Sequence, residues 1–135
     1  MKKRIFQILA ILLILFIWWN SSIIGKQSNY LSTVLTQNLF SQSNTSFHIL
    51  HLLVRKAGHI LEYTLLTFVL YQGFIKPYRL SIYLLLLITP VIAIFDELIQ
   101  AYTPGRTASL IDVLIDCCAI FLVCMILRVT VKSKN

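Results

Sequence analysis

Residues 95–116 read FDELIQAYTPGRTASLIDVLID, and they hold four of the chain's five acidic residues: Asp96, Glu97, Asp112 and Asp116. Long apolar runs flank the stretch on both sides. A carboxylate inside such a run is costly unless it has a partner or a function. Pro104-Gly105 is a strong turn signal. The stretch therefore reads as two membrane helices joined by a tight turn, with a polar site near one membrane face.

Composition agrees with a membrane chain. The hydrophobic fraction is 58% over 135 residues and only 13% of residues are charged, about half the charge of a soluble domain. The length suits a single domain, 1–135. The net charge of +7 is not a nucleic-acid signature, because the basic residues cluster at the ends of apolar runs. That is how topology and anionic-lipid contact are encoded. Cys117, Cys118 and Cys124 share one apolar run without metal-binding spacing, and read as buried thiols acting as small apolar residues.

Outward from the opening stretch, the spacing predicts four spans, at about 5–24, 57–74, 80–102 and 109–131. Lys2, Lys3 and Arg4 precede the first, and no small-x-small cleavage site follows it, so it reads as an uncleaved span. Trp18-Trp19 reads as its interfacial anchor. Tyr30, Leu31, Val34, Leu35 and Leu39 recur at helical spacing, predicting an amphipathic helix on the outer surface between spans one and two. Proline at Pro90 predicts a kink in the third span. Lys2, Lys3, Arg4, Lys76, Arg79, Arg128, Lys132 and Lys134 fall on one side, against Lys26, Arg55, Lys56 and Arg106 on the other. Both termini are thus expected in the cytoplasm. The fold class is an all-α membrane protein, a four-helix transmembrane bundle with one outer amphipathic helix.

This topology places all five acids in one outer layer. Lys56, His59 and Tyr63 share a helix face, with Arg55 and Glu62 beside them. Asp96, Glu97 and Gln100 cover one side of the third span, and Ser109, Asp112 and Asp116 follow i, i+3, i+7 on the fourth. Arg106 lies in the turn. Ser109 and Asp112 also form an S-x-x-D helix-start pattern, so capping competes with ligand contact for Asp112. Asp96 and Glu97, near a helix C-terminus, call for cationic partners among Arg55, Lys56, Arg106 or a bound cation. A structural salt-bridge cluster is the plain alternative to a functional site, and His48 and His51 read as interfacial.

RKAGHILEYTLL at 55–66 followed by FDELIQAYTPGRTASLIDVLID resembles the VanZ-like family of small bacterial membrane proteins. The family's Lys-x-x-His-x-x-Glu-Tyr element falls on Lys56, His59, Glu62 and Tyr63. Its Asp-Glu-x-x-Gln element falls on Asp96, Glu97 and Gln100, its Pro-x-Arg on Pro104 and Arg106, and its following Asp on Asp112; Asp116 loosely fits a position one turn further on that takes asparagine or aspartate. The founding member is associated with resistance to the glycopeptide teicoplanin. The resemblance implies a cell-envelope role in the bacterial cytoplasmic membrane, and supplies no reaction.

Three functions stay open. One is binding of a lipid or lipopeptide headgroup, such as a lipid-linked precursor or a lipoglycopeptide, by Arg55, Lys56, Tyr63, Gln100, Arg106, Ser109, Asp112 and Asp116. Arginine and lysine suit phosphate or carboxylate. A second is an intramembrane enzyme, with His59 and Glu62 as acid–base pair and Asp96 and Glu97 beside them. In that reading a divalent cation on Asp96, Glu97, Asp112 and His59 is an optional cofactor. The third, an ion-coupled transporter, is disfavoured by spans whose inner halves carry no acids.

Overall fold

The computed structural model describes residues 2–23, 44–106 and 108–132, with side chains of the second segment from Leu53 onward. The expected amphipathic helix around Tyr30–Leu39 lies outside the described residues, as do the side chains of His48 and His51.

Four long helices make up most of this structure: α1 (Lys2–Ser22), α2 (Asn44–Leu70), α3 (Leu85–Tyr102) and α4 (Leu110–Lys132). A π-helical turn, Tyr71–Ile75, continues α2, and a 3-10 turn, Ile82–Leu84, leads into α3. The helices alternate in direction. Gln7 near the start of α1 bonds to the Gly73 carbonyl beyond α2, at 3.1 Å. Ser21 at the end of α1 donates to Asp96 near the end of α3. One end of the bundle is therefore basic, with Lys3 over the Tyr78 ring and Arg128 over the Tyr83 ring; the other holds the acids. α1 and α4 each pack on both α2 and α3.

Side-chain polarity is inverted relative to a soluble bundle. Large apolar residues such as Leu12, Leu61, Leu87, Leu114 and Ile126 are exposed, while Asp96, Gln100 and Asp116 are fully buried. Ile17, Leu66, Val69, Leu85, Ala93 and Ile120 fill the apolar core between them. An outward apolar belt is what lipid selects. Three helical stretches, Lys2–Ser22, Ile82–Tyr102 and Leu110–Val131, are long and apolar enough to cross a membrane. α2 has the length, 27 residues or about 40 Å. It fails on composition, because Arg55, Lys56 and Glu62 interrupt it. It runs unbroken from Asn44, well before Arg55, to Leu70.

Two local expectations change. Trp19 is exposed, as an anchor should be, but Trp18 turns inward and packs on Phe95 with ring centroids 6.3 Å apart. Only Cys124 is buried; Cys118 is exposed and Cys117 intermediate, because consecutive positions on a helix cannot share one face. Pro90 lies inside α3, which continues to Tyr102.

The turn between α3 and α4 is made as its residues dictate. The Arg106 N–H donates to the Thr103 carbonyl at 3.1 Å, with Pro104 and Gly105 between them. Gly105 has φ 77°, the left-handed value that the third residue of a type II turn requires.

Candidate functional site

The acidic end brings α2, α3 and α4 together as their facing predicts, and adds α1. Asp96 is the centre. Ser21 Oγ donates to its Oδ1, and Gln100 Nε2 donates to its Oδ2 at 3.4 Å and to Ser21 Oγ at 3.3 Å. Thr103 Oγ1 holds the end of α1 by donating to the Ser21 carbonyl at 3.1 Å. Asn20 Nδ2 donates to Glu62 Oε1 at 3.2 Å. Asn20, Ser21 and Thr103 were missed from sequence. The first span, read over 5–24, contains three consecutive polar residues, 20–22, at the level of the acids, and these were the available signal.

A second group lies at the rim. Lys56 donates to Asp112 Oδ1, and Arg55 Nη2 lies 3.9 Å from Asp112 Oδ2. Asp112 is buried, while Arg55 and Lys56 stay about one-third exposed, at 29% and 36% of their side chains. Asp112 thus spends its oxygens on cations. The reciprocal half of the capping box is performed by a neighbour: Glu97 Oε2 accepts from the Ser109 backbone N–H at 2.8 Å, and Ser109 contributes its backbone. Neutral donors, Ser21 and Gln100 for Asp96 and the Ser109 N–H for Glu97, meet these two acids beside the charges of Arg106 and His59. Arg106 is half-buried beside them. Burial and the nearby Arg55 push its guanidinium down from its ordinary value, while Asp96, Glu62 and Glu97 oppose the shift.

The third group has spare capacity. His59 Nδ1 lies 3.7 Å from Asp116 Oδ2 and 4.0 Å from Asp96 Oδ2, too long for hydrogen bonds. His59 Nδ1, the Tyr63 hydroxyl, Glu97 Oε1, Gln100 Oε1 and both Asp116 oxygens are buried without a hydrogen-bond partner. Tyr63, expected among the binding residues, is fully buried in the core. The ring of His59 faces Asp96 and Asp116, whereas Glu62, its expected acid–base partner, is bonded to Asn20. Among the described residues, no group of three or more His, Cys, Asp or Glu is arranged to hold a metal ion.

These features define a small all-helical membrane protein with a buried acidic cluster at one end of its bundle. A sequence model of the VanZ/LLP1 family matches residues 6–131, and the chain belongs to that family. No curated protein and no solved structure matches it.

Proposed function

We propose that the chain is a four-span protein of the bacterial cytoplasmic membrane, with both termini inside, whose acidic end binds the headgroup of an outer-leaflet amphiphile. The observation that carries this reading is the set of unpartnered buried atoms around Asp116. A buried polar group without a partner costs about 1–3 kcal/mol, and here several lie together. Most are acceptors, so the complementary group carries donors: an amine or hydroxyls. The partly exposed Arg55 and Lys56 at the rim suit an anion on the same headgroup. Lipid-linked envelope precursors and lipoglycopeptides such as teicoplanin combine such groups with an acyl tail for the apolar belt. α2 spans in this reading because its ionic residues face Asn20, Asp96, Asp112 and Asp116 rather than lipid.

The test is susceptibility of a bacterial host to teicoplanin and to vancomycin, with wild type, Glu97→Gln and Asp116→Asn at matched membrane levels. Selective teicoplanin protection that both variants lose supports the reading. Protection that is equal for both drugs, or that persists in both variants, overturns it.

A second reading, acid–base catalysis on such an amphiphile, is favoured by one observation: His59 Nδ1 faces the two carboxylates of Asp96 and Asp116. A histidine oriented by a carboxylate can move a proton through its other nitrogen. Turnover of a lipid-linked substrate that is lost in His59→Gln, with binding retained, distinguishes this reading from binding alone.

A further inference from the structure

The basic end of the bundle carries a second arrangement, unconnected with the acidic cluster. A groove of about 880 Å³ runs between α2 and α4, lined by Leu61, Leu65, Phe68, Val123, Ile126 and Leu127 among others. It ends at Tyr71, Lys76 and Val131. Those three residues also line a neighbouring cavity of about 610 Å³, which adds Arg79 and Arg128. An apolar channel thus opens into a chamber with three cations. Each volume falls within the range of about 300–1,000 Å³ typical of ligand sites.

All five acidic side chains lie at the far end, so among the described residues none of these cations has a carboxylate to meet. The chamber is also preorganised. The Arg128 guanidinium sits over the Tyr83 ring, 5.4 Å from its centroid, which fixes a long side chain by cation–π attraction. Arg79 adopts φ 53° at the end of the short turn Lys76–Tyr78, where its N–H donates to the Lys76 carbonyl. A left-handed conformation is uncommon for a residue with a side chain; glycine would fit it without cost, but would remove a cation. The π-helical turn, a feature that recurs at functional sites, carries Tyr71 at its start and is followed directly by Lys76, so both reach the junction of groove and chamber.

We propose that this end seats an anionic phospholipid of the adjacent leaflet, with one acyl chain in the groove between α2 and α4 and its phosphate against Lys76, Arg79 and Arg128. A neutral lipid would fill the groove and leave the chamber's charge unanswered. A free phosphate would answer the charge and leave the groove empty. The apolar groove and the cationic chamber together therefore select for both parts in one molecule. The proposal rests on the membrane reading and not on any ligand at the acidic end.

The test is binding to the purified full chain, delipidated in detergent, measured by native mass spectrometry and by thermal shift. The probes are phosphatidylglycerol, phosphatidylcholine with the same chains, and glycerol 3-phosphate. Phosphatidylglycerol is expected to bind tightest, and glycerol 3-phosphate not at all. Arg79→Gln and Arg128→Gln should each weaken phosphatidylglycerol about fivefold, as should filling the groove with Val123→Trp. Lys2→Gln, at the same end but outside both cavities, should leave binding unchanged. Equal binding of the two phospholipids by wild type overturns the proposal without any variant. So does an equal loss in Lys2→Gln, which would reduce the effect to diffuse surface charge.

Discussion

Glu97 on α3 holds the first backbone N–H before α4, that of Ser109, at 2.8 Å across the turn that joins them. The bond ties two helices and satisfies one of the donors that every helix start leaves open. It also explains why Asp112 is free to pair with Lys56 and Arg55. Glu97→Ala should therefore lower stability by about 1–2 kcal/mol, the usual cost of a lost N-terminal cap. Glu97→Gln keeps an acceptor and should lose less than half as much. Thermal unfolding in a mild detergent measures both, and equal losses would mean that charge rather than the cap is what matters.

Ser21 is the only residue of α1 that bonds to Asp96 among the described contacts, and Gln100 leans on the same hydroxyl. Ser21→Ala leaves a buried carboxylate short of a donor and should cost about 1–3 kcal/mol. Ser21→Thr keeps the hydroxyl and should restore most of it. A Ser21→Ala protein as stable as wild type would show that Asp96 finds its proton or partner elsewhere.

Lys56 and Asp112 form a pair whose acid is buried and whose base is about one-third exposed. Lys56→Met strands Asp112 with Arg55 at 3.9 Å and should destabilise by about 1–3 kcal/mol, below the range for a fully buried pair because the lysine reaches solvent. Adding Asp112→Leu to Lys56→Met should recover part of that loss. A double-mutant cycle measures the coupling, and strict additivity would mean that the two do not interact.

The acidic layer was legible in the sequence because each acid interrupts an apolar run, and helical periodicity then fixes its face. His59, Asp96, Gln100 and Asp116 meet for that reason. Contacts that depend on a second helix were not legible. Whether Glu97 or Asp112 takes the Ser109 N–H depends on how α3 and α4 dock, and local spacing favoured Asp112. The inward turn of Trp18 depends on Phe95 in the same way. The π-helical turn at Tyr71–Ile75 left only an indirect trace: Gly73, whose absent Cβ lets α1 approach closely.

That approach makes Gly73 and Gly58 a matched pair of probes. A Cβ at Gly73 would sit 3.1 Å from the Gln7 nitrogen and 3.1 Å from the Phe6 carbonyl carbon, both backbone atoms that cannot swing away. At Gly58 a Cβ would meet nothing within 4 Å. Gly73→Ala should cost about 1–3 kcal/mol through displacement of α1, whereas Gly58→Ala should gain up to about 1 kcal/mol of helix propensity. Unfolding midpoints shifting in opposite directions would confirm the close crossing; a neutral Gly73→Ala would refute it.

Asp116 separates a structural ion-pair cluster from a binding site. Both its oxygens are buried without a hydrogen-bond partner, and His59 Nδ1 stands 3.7 Å away. If the cluster existed to hold the fold, removing Asp116 would leave His59 and its neighbours worse satisfied, and stability would fall. An unsatisfied buried carboxylate retained for a ligand has the opposite sign, because residues kept for function are often not optimal for stability. Asp116→Leu is therefore expected to raise stability by about 1–2 kcal/mol, since an apolar replacement of similar size removes the desolvation cost. The same variant should abolish selective protection against teicoplanin at matched membrane levels. A destabilised Asp116→Leu protein that still protects would assign Asp116 to the fold, and the headgroup site would have to be sought at Glu97 and the Arg55–Lys56 rim without it.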